Sequence, residues 1–267
     1  MSDLVKISLG TLWDETIAFL RAELSLVLPV AFLGFGLPMI LMLLAVPTDA
    51  AENGKLAFGP WMLWFLPCGL LSMIGSIGLS AMALHPGASV KECLGIAIAR
   101  LPGGIGLVIL NLGVQMALGL PLALATMAEV AISGAAGPIA SIANLAVIAV
   151  LIWLFVRVMP VWALLAERPM TPWQAARGAF LLTRGQYRKL LLLRVMATCA
   201  GLLTLLALLI PIGAVFTILG RVTGATEVAQ TLSFVATGAV FAVLLAIWTI
   251  YVARLYARLA AGSSRGI

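Results

Sequence analysis

Long apolar runs alternate along this chain with short polar connections rich in turn-forming residues. Six runs stand out, at about 24–46, 61–84, 103–128, 140–164, 190–219 and 232–254. The breaks between them read "VPTDAAENGK", "HPGAS", "ISGAAGP", "ERPMTP" and "GRVTGAT". A bilayer core about 30 Å thick is crossed by roughly 20 apolar residues in an α-helix. Strands of a membrane β-barrel would be about 10 residues long with alternating polarity, and these runs are too long and too uniformly apolar for that. The pattern predicts an all-α, polytopic membrane protein with six transmembrane helices in a single domain over residues 1–267.

Three amphipathic stretches precede odd-numbered runs. In the first, Val5, Leu9, Leu12, Thr16, Phe19 and Leu20 share one side of a helical wheel, with Trp13 at its margin. Lys6, Ser8, Asp14, Glu15 and Arg21 lie around the other side. The second begins at Ser89-Val90-Lys91-Glu92 and the third at Thr171-Pro172-Trp173-Gln174. Both are capping boxes, in which the hydroxyl and the acid or amide three residues on satisfy free backbone donors. Pro172 also suits a first helical position. The capping residues stand 82 apart and the prolines before them, Pro86 and Pro169, 83 apart. Pro38, Pro121 and Pro211 then fall late in the first, third and fifth runs. The expected unit is an interfacial helix followed by a transmembrane hairpin, repeated over about 1–84, 85–166 and 167–262.

Composition agrees with this reading. Of 267 residues 63% are hydrophobic and only 10% charged, too few charges to hydrate the surface of a soluble body. The opening residues are charged and amphipathic, which is not the form of a cleavable signal. The net charge of +6 acquires meaning from its distribution. Lys6, Arg21, Lys91, Arg100, Arg157, Arg168, Arg177, Arg184, Arg188, Lys189, Arg194, Arg254, Arg258 and Arg265 fall at the N-terminus, the even connections and the C-terminus. The odd connections hold Lys55 and Arg221 alone. The positive-inside rule puts both termini in the cytoplasm of a bacterial inner membrane. Such basic segments between apolar runs suit an anionic lipid surface, not nucleic acid. Cys68, Cys93 and Cys199 show no metal or redox spacing. Cys68 and Cys199 lie in apolar runs and are expected to be small core residues.

The third amphipathic stretch is the most distinctive. Taken as one helix over Thr171–Lys189, it repeats Trp173, Phe180 and Tyr187 every seven residues beside Arg177 and Arg184, with Arg188 and Lys189 following. Aromatic rings favour the headgroup level and arginines there reach phosphate. Arg177, Arg184, Arg188 and Lys189 are therefore candidate lipid-headgroup ligands, the alternative being a plain positive-inside anchor.

From Arg157 to Arg194 the chain reads "RVMPVWALLAERPMTPWQAARGAFLLTRGQYRKLLLLR". This resembles the membrane domain fused to some glycerophosphodiester phosphodiesterases, and stand-alone relatives such as YciC-like inner-membrane proteins. The resemblance rests on Pro160, Glu167, the segment "WQAARGAFLLTRG" and Gly185. It implies a helical bundle and membrane association. It does not imply phosphodiesterase activity, because such hydrolysis needs histidines and carboxylates around a divalent metal. This chain has one histidine, His85, and no acidic cluster of metal-site spacing.

Polar residues inside the runs are few. Asn111 and Gln115 share a face of the third, and Asn144 lies in the fourth. Interhelical hydrogen bonds are their commonest role, a polar cavity lining the other. Arg157 has two readings. Either the fourth span continues past it and Asn111 and Gln115 are its partners, or the span ends near Val158 and Arg157 reaches the interface. No nucleophile–base pair and no metal constellation appears, so no enzyme, cofactor or metal is expected. The sequence suggests a non-catalytic inner-membrane protein that binds anionic lipid headgroups or a protein partner of unknown identity. The second reading is a transporter or lipid translocator with a cavity between the repeats.

Overall fold

A computed structural model describes residues 9–46, 59–134 and 137–263. The described residues are helical with connecting turns, and six helical stretches are long and apolar enough to cross a membrane. The first stretch joins α1 (Leu9–Ala31), a π-helical turn (Phe32–Gly36) and α2 (Leu37–Ala45). A 3₁₀ turn (Pro60–Trp64) leads into α3 (Phe65–Leu84), and α4 runs from Val90 to Ser133. Next come α5 (Pro138–Val158) and two short helices, α6 (Val161–Glu167) and α7 (Pro172–Leu182). Two long helices, α8 (Tyr187–Thr223) and α9 (Thr226–Ser263), complete the order.

Pro38 explains the π turn. Lacking an N–H, it cannot donate one turn back, and the preceding Leu37 N–H bonds to the Phe32 carbonyl, five residues back. The turn delivers two glycines into the core. A Cβ on Gly34 would stand 2.5 Å from the Gly75 Cα of α3, and one on Gly36 would stand 3.1 Å from the Gly238 carbonyl of α9. Small residues let helix backbones meet without a hydrophobic driving force between them. The core accordingly centres on α1, the π turn, α3 and α9, with Val27, Phe35, Ile77, Leu79, Ala246 and Ile250 buried in one cluster that extends to α4, α6 and α7 through Ala97, Leu165 and Ala175.

α5 and α8 stand at the periphery. The most apolar stretch of α8 contains no buried residue, and Leu203, Ile210 and Val222 lie bare along it. Such a helix has no stable place in water but suits a lipid solvent.

The segments that lead into odd-numbered spans differ from one another. α1 passes from its amphipathic part into the first span with one non-helical residue, Glu23 (φ −113°, ψ 17°). The second segment is not a separate helix, since α4 is continuous over 44 residues with Pro102 and Pro121 inside it. The third is cut short: α7 ends at Leu182, and a turn with Gly185 at φ +83° separates it from α8. The single helix expected over Thr171–Lys189 is thereby corrected. Gly185 takes a left-handed conformation that other residues rarely adopt, so the helix cannot run through.

The first amphipathic segment is also not free at a surface. Leu12 and Thr16 are fully buried, and Leu12 packs with Val156, Leu190, Tyr251, Leu255 and Leu259. Val5, Lys6 and Ser8 fall outside the described residues. Cys68 and Cys93 are buried, but Cys199 is exposed on the bare side of α8, contrary to the expectation of a core position.

Candidate functional site at the basic edge of the bundle

The start of α1, the end of α5, the start of α8 and the end of α9 meet in one cluster. Arg157, Arg188, Arg194, Arg254 and Arg258 lie on these segments. Both expected capping boxes form: the Glu92 N–H donates to Ser89 Oγ and the Ser89 N–H to Glu92, while Thr171 and Gln174 exchange the same pair. The second box fixes where α7 begins. Ala175 and Ala179 then face inward, and Gly178 lets the helix lie against Leu164 of α6. Trp173 and Arg177 face out.

Arg177, Arg184, Arg188 and Lys189 are all exposed around the α7–α8 turn. They do not form one helical stripe. Arg177 is on α7, Arg184 lies in the turn, and Arg188 and Lys189 open α8. The aromatic series is divided in the same way, with Trp173 and Phe180 on α7 and Tyr187 on α8.

Arg157 lies in the last turn of α5, which ends at Val158. Asn111 and Gln115 are not its partners, because they are exposed on α4 and bonded to each other at 3.1 Å. The Arg157 guanidinium instead lies 5.6 Å from the Trp153 ring centre and 5.7 Å from that of Tyr187. It donates a long hydrogen bond (3.5 Å) to the Phe180 carbonyl near the end of α7. Trp153 meets Phe180 edge to face, with centroids 5.5 Å apart. Arg157 thus ties α5 to α7 and to the first turn of α8.

Arg194 was not singled out by sequence reasoning, yet it is partly buried and has the two closest ring contacts of this edge. Its guanidinium is flanked by Phe155 of α5 at 4.4 Å and Trp248 of α9 at 4.6 Å. No local spacing could reveal it, because the two rings come from helices 39 residues before and 54 residues after it. Arg254 lies over Phe19 at 4.9 Å. Trp248 stacks on Tyr251, which in turn meets Trp13. The result is a belt of guanidinium and aromatic groups running across four helices. Rings attract these cations through their faces and leave the N–H edges free.

Carboxylates occupy other positions. The two ion pairs among the described residues are Arg258 with Glu15 and Arg168 with Glu167, the latter at 4.0 Å. Glu167 also accepts a hydrogen bond from Tyr256, which fastens the end of α6 to α9. Glu129 accepts from the Ala140 N–H at 2.9 Å, closing the α4–α5 hairpin at the start of α5, where a negative charge is favoured. No group of three or more His, Cys, Asp or Glu residues able to hold a metal ion occurs among the described residues.

Asn144 lies away from the basic edge. With Leu122, Thr126, Ala140 and Ser141 it lines an open cleft of about 470 Å³ between α4 and α5. Arg157, Asn111 and Gln115 do not line that cleft.

The fold and this edge define a helical protein of membrane type, with six apolar helices and a belt of arginines and aromatic rings. Comparison with known protein families, with curated proteins and with solved structures found no match.

Proposed function

We propose that the chain is a non-catalytic, multi-pass protein of a bacterial inner membrane whose basic edge binds anionic lipid headgroups on the cytoplasmic side. One observation carries this reading. Arg177, Arg184, Arg188 and Lys189 are exposed around a single turn, and among the described residues none of them has a carboxylate partner. Each basic residue beside an anionic leaflet contributes about 1 kcal/mol, so four contribute roughly 4 kcal/mol at low salt. Exposed charges of this kind attract without selecting among headgroups, and salt weakens them. The resemblance to phosphodiesterase-associated membrane domains, both termini in the cytoplasm and the threefold repeat belong to the same proposal.

The translocator reading draws on the α4–α5 cleft. Neutral side chains line it, and Asn144 stands about 20 Å along α5 from Arg157 at 1.5 Å per residue. The cleft and the basic edge are separate features, and this favours the lipid-organising reading.

The test uses nanodiscs of mixed zwitterionic and anionic lipid. The natural chain is expected to enrich anionic lipid in its annulus, and the enrichment should fall with added salt. Changing Arg177, Arg184, Arg188 and Lys189 together to Gln should lower it severalfold. Equal lipid composition around both proteins would refute the proposal.

A further inference from the structure

Arg194 has two aromatic rings closer to its guanidinium than those beside Arg157 or Arg254. Phe155 and Trp248 approach it at 4.4 and 4.6 Å. Among the described residues it makes no hydrogen bond and no ion pair, so the five N–H donors of a guanidinium meet no acceptor there. Arg157, by comparison, donates through Nη1 to the Phe180 carbonyl, although its Nε, like that of Arg254, is buried without a partner. Arg258 and Arg168 are paired with carboxylates. Arg194 is partly buried, about 10 Å along α8 from its first residue, Tyr187. A cation withdrawn from water needs a counter-charge or hydrogen-bond acceptors. The rings supply attraction through their faces from two other helices, but they offer nothing to the guanidinium donors.

We infer that Arg194, held between Phe155 and Trp248, is a binding seat for a single phosphate group. Guanidinium and phosphate match as planar fork and tetrahedral oxyanion, and two parallel N–H···O bonds give that pairing both strength and orientation. Two sources supply this chemistry: the phosphodiester of a membrane phospholipid, and free inorganic phosphate at the interface. Leu192, Val195 and Met196, exposed beside Arg194 on α8, offer apolar surface to acyl chains and favour the lipid source. This lipid assignment rests on the function proposed above; the phosphate seat itself does not.

The seat differs physically from the exposed cluster at the α7–α8 turn. The cluster acts through net charge, which lysine supplies as well as arginine. The seat acts through the forked N–H donors of a guanidinium, which lysine cannot reproduce. Arg194→Lys therefore separates the two.

The experiment measures phospholipid retained by the detergent-purified full chain in native mass spectrometry, over rising collision energy. The natural chain should hold one phospholipid to the highest energies. Arg194→Lys and Arg194→Gln should each lower that occupancy about tenfold, whereas the fourfold Gln variant of the α7–α8 turn should retain it. Full retention in Arg194→Gln overturns the seat. Loss in the fourfold variant with retention in Arg194→Lys also overturns it, while leaving the headgroup reading intact.

A second measurement needs no change at Arg194. Fluorescence of the natural chain is compared with that of Trp248→Phe while micelles receive either phospholipid with a headgroup spin label or inorganic phosphate alone. A change assigned to Trp248 with labelled lipid supports the seat and its lipid source. A change with inorganic phosphate only supports the seat and removes lipid as its ligand. No Trp248 response in either arm overturns the inference.

Discussion

Gly34 and Gly75 set the closest backbone approach of the core. A Cβ on Gly34 meets the Gly75 Cα at 2.5 Å, closer than side-chain carbons normally come to backbone, and the obstacle is backbone that cannot rotate away. Gly34→Ala must therefore part α3 from the π turn, and overpacking of this kind costs about 1–3 kcal/mol. Gly113 and Gly201 sit in α4 and α8 with nothing within 4 Å of an added Cβ. Gly113→Ala should leave the melting temperature in detergent unchanged or slightly raised, as alanine suits a helix interior better than glycine. Gly34→Ala should lower it. Equal effects at the two sites would mean that the crossing does not form. Nothing in the local sequence distinguishes these glycines, since each is one small residue in an apolar run. Only the partner helix separates them, and it lies far away in the chain.

Among the elements, α7 shows how much local chemistry dictates. The Thr171–Gln174 box and Pro172 locate its start, because those groups act within four residues and leave their signature in the sequence. Its end was not legible in the same way. A seven-residue aromatic repeat from Trp173 to Tyr187 reads as one continuous helix. Gly185 at φ +83° breaks it, with the Thr183 hydroxyl bonded back to Ala179 in the final turn. The helix is then held from outside by Arg157. Two consequences follow. Thr171→Ala removes the cap and should destabilise α7 by about 1 kcal/mol, raising amide exchange across Pro172–Leu182 several-fold while α9 stays protected. Arg157→Leu leaves the cap intact but removes the hydrogen bond to Phe180 and the contacts with Trp153 and Tyr187. It should raise exchange at the end of α7 and the start of α8, leaving the first turn of α7 unaffected. Exchange unchanged by Arg157→Leu would show that the tie does not hold α7.

For the whole molecule, apolar periodicity and turn residues were enough to locate six spanning stretches, because length and hydropathy are properties of a segment by itself. The arginine–aromatic belt was only half legible. The cations were visible, but their rings come from α1, α5, α8 and α9, brought together by tertiary packing. Charge counting went further than local pattern, since it compares all the connections at once. The structure brings Leu12, Val156, Leu190 and Leu255 into one cluster, so three of the four segments assigned to the inner side, the start of α1, the α5–α8 connection and the end of α9, meet at one place. The Gly224 turn stands at the far end of α8, whose first residues belong to that cluster. Shared ends do not themselves select a side of the membrane. That selection is electrostatic, through the positive-inside bias, and it is testable. A reporter that is active only outside the cytoplasm should work when placed at Gly224 and fail at Gln186. A fluorescent reporter that matures only inside should do the reverse. Activity of the outside reporter at Gln186 would put Arg184, Arg188 and Lys189 on the outer face, away from the anionic inner leaflet, and the proposed headgroup binding would lose its ligand.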